Sequence, residues 1–167
     1  PAVGIRELVQ NAIDAVRERD HYYTQFSPSL SVSNGYDVEV RFAEEGDGVW
    51  TIRVTDKGIG MAATTIRDYF LRGGASYRTN LDWLDQFTNE QGESQVLRAG
   101  RFGIGVFAAF LLGNRIVVQT RHISEPTGMG FRFEAAKDSE LIELKRVPLP
   151  TGTSVEIVLT DASAIAL

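Results

Sequence analysis

Residues 50 to 61 read WTIRVTDKGIGM. Trp50, Ile52 and Val54 alternate with polar neighbours, the period of a half-buried strand. The strand ends at Asp56, and Gly58 and Gly60 follow at once. A carboxylate at a strand end can accept a hydrogen bond from an exocyclic amine. Glycines after it let the backbone turn and let a ligand approach closely. A plain strand-to-helix turn, where Asp and Gly are common, accounts for the same letters. Two further stretches bear on the choice.

Upstream, residues 7 to 14 read ELVQNAID. They lie in a predicted helix over 4–20, with Ile5, Leu8, Val9, Ala12 and Val16 on one side. Glu7, Asn11 and Asp14 span about 60° of the helix at about 100° per residue, opposite that stripe. Such a face suits Glu7 to polarise a water, Asn11 to give an oxygen to a divalent cation and Asp14 to orient its neighbours. Magnesium needs few protein oxygens when phosphates and water supply the rest. Beside Arg6, Gln10 and Arg17, the same residues also fit a solvated face.

Downstream, residues 100 to 110 read GRFGIGVFAAF. Gly100, Gly103 and Gly105 precede an apolar run, VFAAFLLG (106–113), predicted as a buried helix stopped by Gly113-Asn114. Free N–H groups at a helix start bind phosphate through oriented donors and the helix dipole. A tight turn ahead of a buried helix fits as well. Taken together, the three stretches hold the parts for a nucleotide site without a Walker loop, and an ATP site is the first hypothesis.

The remaining pattern supplies a frame. DVEVRF (37–42) and WTIRVT (50–55) form a predicted hairpin around AEEGDGV. A connection covers 21–36, and a short helix covers 62–71. Residues 72–99 are polar and glycine-rich, a functional loop or lid by their length. Three or four strands then follow: RIVVQTR, MGFRFEA, LIELKRV and SVEIVL. Runs of strands rather than strict alternation predict a two-layer α/β (α+β) sandwich, its sheet mixed but mainly antiparallel, with helices on one face.

Composition sets outer limits. A chain of 167 residues suits one domain, 1–167, with a real core. A net charge of −5 gives no support to a nucleic-acid-binding face. Without cysteine there is neither a disulfide nor a thiolate metal site. His21 and His122 stand too far apart in sequence for a zinc motif. No apolar run is long enough to span a membrane. The chain starts Pro-Ala-Val-Gly without methionine, and we read it as part of a longer protein.

Two segments imitate a dinucleotide fingerprint: Gly58-Ile-Gly60-Met-Ala-Ala63 and Gly103-Ile-Gly105-Val-Phe-Ala108. That fold requires a second parallel strand ending in an acid about 20 residues later. Residues 76–84 are polar loop instead, and the strands cluster as antiparallel neighbours.

The stretches in this order resemble the GHKL ATPases: gyrase B-type topoisomerases, ninety-kilodalton heat-shock chaperones, histidine kinases and MutL-type mismatch-repair proteins, with MORC proteins as relatives. ELVQNAIDA resembles their Asn-containing helix, VTDKGIGM their adenine-side motif and GRFGIGVFAAF the glycine motif after the lid, closest to the chaperone form. Gly152-Thr153 before SVEIVL resembles the last short motif. The resemblance covers nearly the whole chain and implies the Bergerat fold, with ATP or ADP and magnesium between helices and sheet.

By that resemblance Glu7 would be the general base and Asn11 the magnesium ligand, with Asp14 beside them. Asp56 would hold the adenine amino group, with Gly58, Gly60, Met61 and Thr153 nearby. Arg101, Phe102, Gly103, Ile104, Gly105, Val106 and Phe107 would wrap the phosphates, and 72–99 would be the lid. Departures accompany it. Ala75 stands where the chaperones carry a phosphate-reaching lysine, a role open to Arg72 or Arg78. The family's cation on the following domain lies beyond Leu167, and the strand or arm ahead of the helix is missing. The implied function is slow magnesium-dependent ATP hydrolysis, with ATP-driven lid closure and homodimerisation of a cytoplasmic, chaperone-like parent. Nucleic acid and membrane are not expected as partners, and the client is left unnamed. The alternatives are a non-hydrolysing nucleotide-gated module, a histidine kinase catalytic domain, which Glu7 disfavours, and a topoisomerase or mismatch-repair ATPase.

Overall fold

The computed structural model describes residues 2–26, 35–67, 109–110, 112–136 and 142–159. Its elements run α1 (Ala2–Phe26), β1 (Val38–Glu44), β2 (Trp50–Asp56), α2 (Ala63–Thr65), β3 (Gly113–Arg121), β4 (Gly130–Ala136), β5 (Lys145–Val147) and β6 (Gly152–Leu159). The strands form one six-stranded sheet in the order β1-β2-β6-β3-β4-β5. All five described pairings are antiparallel, which fits the expected sheet and excludes the dinucleotide fold.

Register explains the core. Across β4, β3, β6 and β2, one inner row reads Ala135, Ile116, Ile157 and Ile52, and the next Phe133, Val118, Val155 and Val54. Leu8 and Ala12 of α1, Met61, Ile66, Ala109 and Leu112 close over them in a single buried cluster. Each fully buried side chain of this size contributes about 1.5–3 kcal/mol. The third row reads Phe131, Thr120, Thr153 and Asp56, and here the apolar face gives way to polar groups. The outer face is polar, with Arg53 paired to Glu156, Arg115 to Glu134, and the Thr55 and Ser154 hydroxyls 3.1 Å apart. Helices on one face and a polar outer face are what a one-sided antiparallel sheet requires.

Several boundaries moved. α1 continues to Phe26 where a connection was expected from residue 21. Nothing between 21 and 26 breaks a helix, the Tyr22 and Phe26 rings pack 4.9 Å apart, and Thr24 donates back to the Asp20 carbonyl at 2.9 Å. β1 extends inward to Glu44, while β2 starts at Trp50 as expected and runs on to Asp56, leaving Glu45–Val49 as the loop. Gly46, Asp47 and Gly48 turn it with positive φ, and Glu45 N–H closes it on Val49 O at 2.8 Å. Residues 109–110 are helical, Leu112 is a turn and Gly113 opens β3, so the chain has left the helix by Gly113, where the Gly113-Asn114 signal sets its stop. A Cβ there would stand 1.9 Å from the Val158 carbonyl oxygen, so the residue is needed for strand contact with β6. β5 is shorter than expected: residues 142–144 lie outside it and only Lys145–Val147 pair, while residue 141 lies outside the described residues. Of the helices predicted over 62–71 and 106–113, the structure describes only parts.

Candidate functional site

The site grows from the end of β2. Asp56 is 8% exposed, and its Oδ1 accepts the Gly58 N–H at 2.8 Å. The Thr153 N–H on β6 also donates to this carboxyl. Burial raises the Asp56 pKa to about 7, against the lowering by those two N–H groups and by the Arg19 charge. The carboxyl is thus held in a largely buried recess with polar neighbours, where a hydrogen bond from an incoming donor is stronger than at an exposed site.

The glycines after Asp56 are wedged between α1 and β3. A Cβ on Gly58 would come within 2.6 Å of Ala15, and Ile59 N–H donates to the Ala15 carbonyl at 2.9 Å. Gly60 has φ +72°, and a Cβ there would stand 1.9 Å from the Arg121 carbonyl oxygen. Ile59 O accepts the Ile123 N–H at 2.9 Å. Gly152 is equally constrained: φ is +121°, and a Cβ would stand 2.2 Å from Asp56 O. Thr153 is thereby set directly across the ladder from Asp56.

On α1 the buried stripe is Leu8, Ala12, Ala15 and Arg19, rotated from the stripe expected. Glu7, Asn11 and Asp14 therefore flank the packed face and are half-covered, a correction to their expected place opposite it. The rotation follows from Ala12 and Ala15, whose small side chains admit the glycine turn. Asp14 Oδ1 accepts from Gln10 at 3.3 Å and Arg17 at 3.2 Å, while Glu7 meets Arg6 at 3.5 Å. Asp14, Glu18, His21, Tyr22 and Ile59 line a cleft of about 470 Å³ beside the turn.

The structure thus brings Asp56, Gly58, Gly60, Met61 and Thr153 together and docks them against the helix bearing Glu7, Asn11 and Asp14. Residues 101–107, the lid at 72–99, and Arg72, Ala75 and Arg78 lie outside the described residues. Among the described residues no group of three or more His, Asp or Glu is placed to hold a metal.

Three contributors were missed. Thr120 accepts the Met61 N–H at 2.9 Å, donates to Gly152 O at 3.1 Å and meets the Thr153 hydroxyl at 2.9 Å. Arg19 donates to Lys57 O at 2.6 Å and Asp37 at 2.9 Å. Arg121 ties Leu149 O and Glu125 O at 2.8 and 3.0 Å and pairs with Thr151. A signal existed for two of them: Arg19 continues the 8-12-15 stripe, and Thr120 continues the Ile116-Val118 alternation, each a polar residue in a core register.

A buried strand-end carboxylate, a glycine turn docked on a helix and a one-sided antiparallel sheet define a nucleotide-binding class of α/β sandwich. Residues 1–163 match the family described as histidine kinase-, DNA gyrase B-, and HSP90-like ATPase, and the chain belongs to it. Among its relatives is the chaperone protein HtpG of Psychromonas ingrahamii, 28% identical over 95% of this chain and 24% of the relative. HtpG of Cupriavidus metallidurans is 30% identical over 83% of this chain and 21% of its own length. HtpG of Ehrlichia canis is 27% identical over 94% of this chain and 24% of its own length. The chain therefore spans about a quarter of the curated relatives it matches.

Proposed function

We propose that this chain is the ATP-binding, slowly hydrolysing part of a longer chaperone-like protein. The observation that carries the reading is the buried Asp56 carboxyl, facing the inner side of the sheet beside Thr153 and a turn docked on α1. Asp56 accepts from the adenine amino group, and Gly60 and Met61 shape the floor beside the base. Glu7 holds and deprotonates the attacking water from the half-covered flank of α1, while Asp14 keeps neighbouring side chains in place. Residues 101–107 wrap the phosphates.

Asn11 offers an amide oxygen on the same flank, a hard donor that fits magnesium. When bound, magnesium supplies charge neutralisation on the phosphates. In this reading residues 72–99 close over ATP, and closure drives homodimerisation of the parent in the cytoplasm. No described helix is long and apolar enough to cross a membrane. The relatedness to chaperones named HtpG supports the chaperone-like assignment.

Calorimetry with ADP and with a non-hydrolysable ATP analogue, each with magnesium, tests the reading. Asp56→Ala removes a charged acceptor worth about 1.5–3 kcal/mol, so affinity falls on the order of 10- to 100-fold. Absence of adenine-nucleotide binding by the unaltered protein would defeat the assignment.

A further inference from the structure

The nucleotide reading leaves Thr120 without a part, although it is 1% exposed and has three polar neighbours. Its hydroxyl carries one hydrogen and two lone pairs. The Gly152 carbonyl, 3.1 Å away, has no hydrogen to offer, so the Thr120 hydrogen goes there. The Met61 N–H, at 2.9 Å, takes one lone pair. In the arrangement that satisfies all three neighbours of Thr120, its second lone pair turns to the Thr153 hydroxyl at 2.9 Å and Thr153 donates that hydrogen. Its own lone pairs are then left for a ligand. Thr153 lies across the ladder from Asp56 on the same face of the sheet.

We infer that Thr120 is a positioning residue that fixes Thr153 as an acceptor, so that Thr153 and Asp56 together select an amino-bearing base over an oxo-bearing one. The inference rests on the proposed adenine site and assigns the source of its selectivity to a residue outside the three motifs. A 6-amino group carries two hydrogens and serves both acceptors. A 6-oxo group directs lone pairs at them. Without Thr120 the Thr153 hydroxyl is free to rotate and donate outward, which relieves the clash with an oxo group.

The test compares ADP with inosine diphosphate by calorimetry on the unaltered protein, Thr120→Val, Thr120→Ser and Thr153→Val. Valine keeps the shape and removes the hydroxyl, while serine keeps the hydroxyl. The ratio of ADP to inosine diphosphate affinity should fall on the order of 3- to 10-fold in Thr120→Val, the scale of one neutral hydrogen bond. It should be retained in Thr120→Ser. Thr153→Val should lower the ratio similarly, and it carries the test if Thr120→Val does not fold. A merely structural role would weaken both nucleotides equally; an unchanged ratio in Thr120→Val, or in Thr153→Val if that protein carries the test, overturns the inference. Failure of the unaltered protein to bind either nucleotide defeats the adenine site itself, and the inference with it. Tight ADP binding with an unchanged ratio defeats the inference alone.

Discussion

The Ile59 N–H donates to the carbonyl of Ala15 at 2.9 Å, across the junction of the glycine turn and α1. Ala15 lies in the interior of the helix, so its carbonyl also serves the helix ladder, and its second lone pair takes the bond from outside. Together with the Arg19 bond to the Lys57 carbonyl, this contact holds Asp56 and the acidic flank of α1 in one frame. It exists only because residue 58 has no side chain.

Gly60→Ala should therefore destabilise the protein more than Gly48→Ala. Both residues have positive φ, but a Cβ at Gly60 meets Arg121 O at 1.9 Å, whereas nothing lies within 4 Å at Gly48. The Gly48 change carries only the backbone penalty, about 1–2 kcal/mol, and the Gly60 change adds overpacking of about 1–3 kcal/mol. Urea unfolding measures both. Equal losses would refute the wedge described for the turn.

Asp56 sets a pH dependence in the nucleotide-free protein. Its folded pKa of about 7 lies above the ordinary 3.8, so the native state holds a proton that the unfolded chain releases. The stabilisation is complete below the ordinary value and is lost as pH rises through about 7. Asp56→Asn should remove that slope, and its stability relative to wild type should rise between pH 5 and pH 8. Thermal melts across that range, without nucleotide, test this; parallel curves would contradict it.

Arg19→Met should cost more than an ordinary surface arginine. Its side chain is 6% exposed and Asp37 is 30% exposed. Breaking a buried pair costs about 3–5 kcal/mol, and the partial exposure of Asp37 puts the expectation near the lower figure. The Lys57 carbonyl also loses its donor, so the turn bearing Asp56 should loosen. Unfolding midpoints and amide exchange at residues 57–60 report the two effects. A variant as stable as wild type would show the pair to be incidental.

Glu7→Ala should leave nucleotide affinity nearly unchanged while slowing hydrolysis by the full-length protein about 10²- to 10⁴-fold. Asn11→Ala should weaken binding in the presence of magnesium more than in its absence. Equal turnover by wild type and Glu7→Ala would favour a nucleotide-gated module that does not depend on hydrolysis.

The sequence by itself determined the strands, the long helix and the grouping of Asp56 with its glycines. Alternation, helical period and turn chemistry are local properties, and they are visible in Ile52-Val54 and Leu8-Ala12 without any tertiary knowledge. The extension of α1 to Phe26 was missed because ring packing and the Thr24 bond to the Asp20 carbonyl outweighed a polar composition. Only the tertiary structure decided which polar residues meet. Thr120 reaches Met61 across 59 positions of chain, and Arg19 reaches Lys57 across 38. The second meeting follows from the docking of α1 on the turn after β2, and the first from the strand order β1-β2-β6-β3-β4-β5, which inserts β6 between β2 and β3. That insertion sets Thr153 between Asp56 and Thr120 in one row of the sheet. No local pattern encodes the row, because its members are brought together by pairing between distant strands.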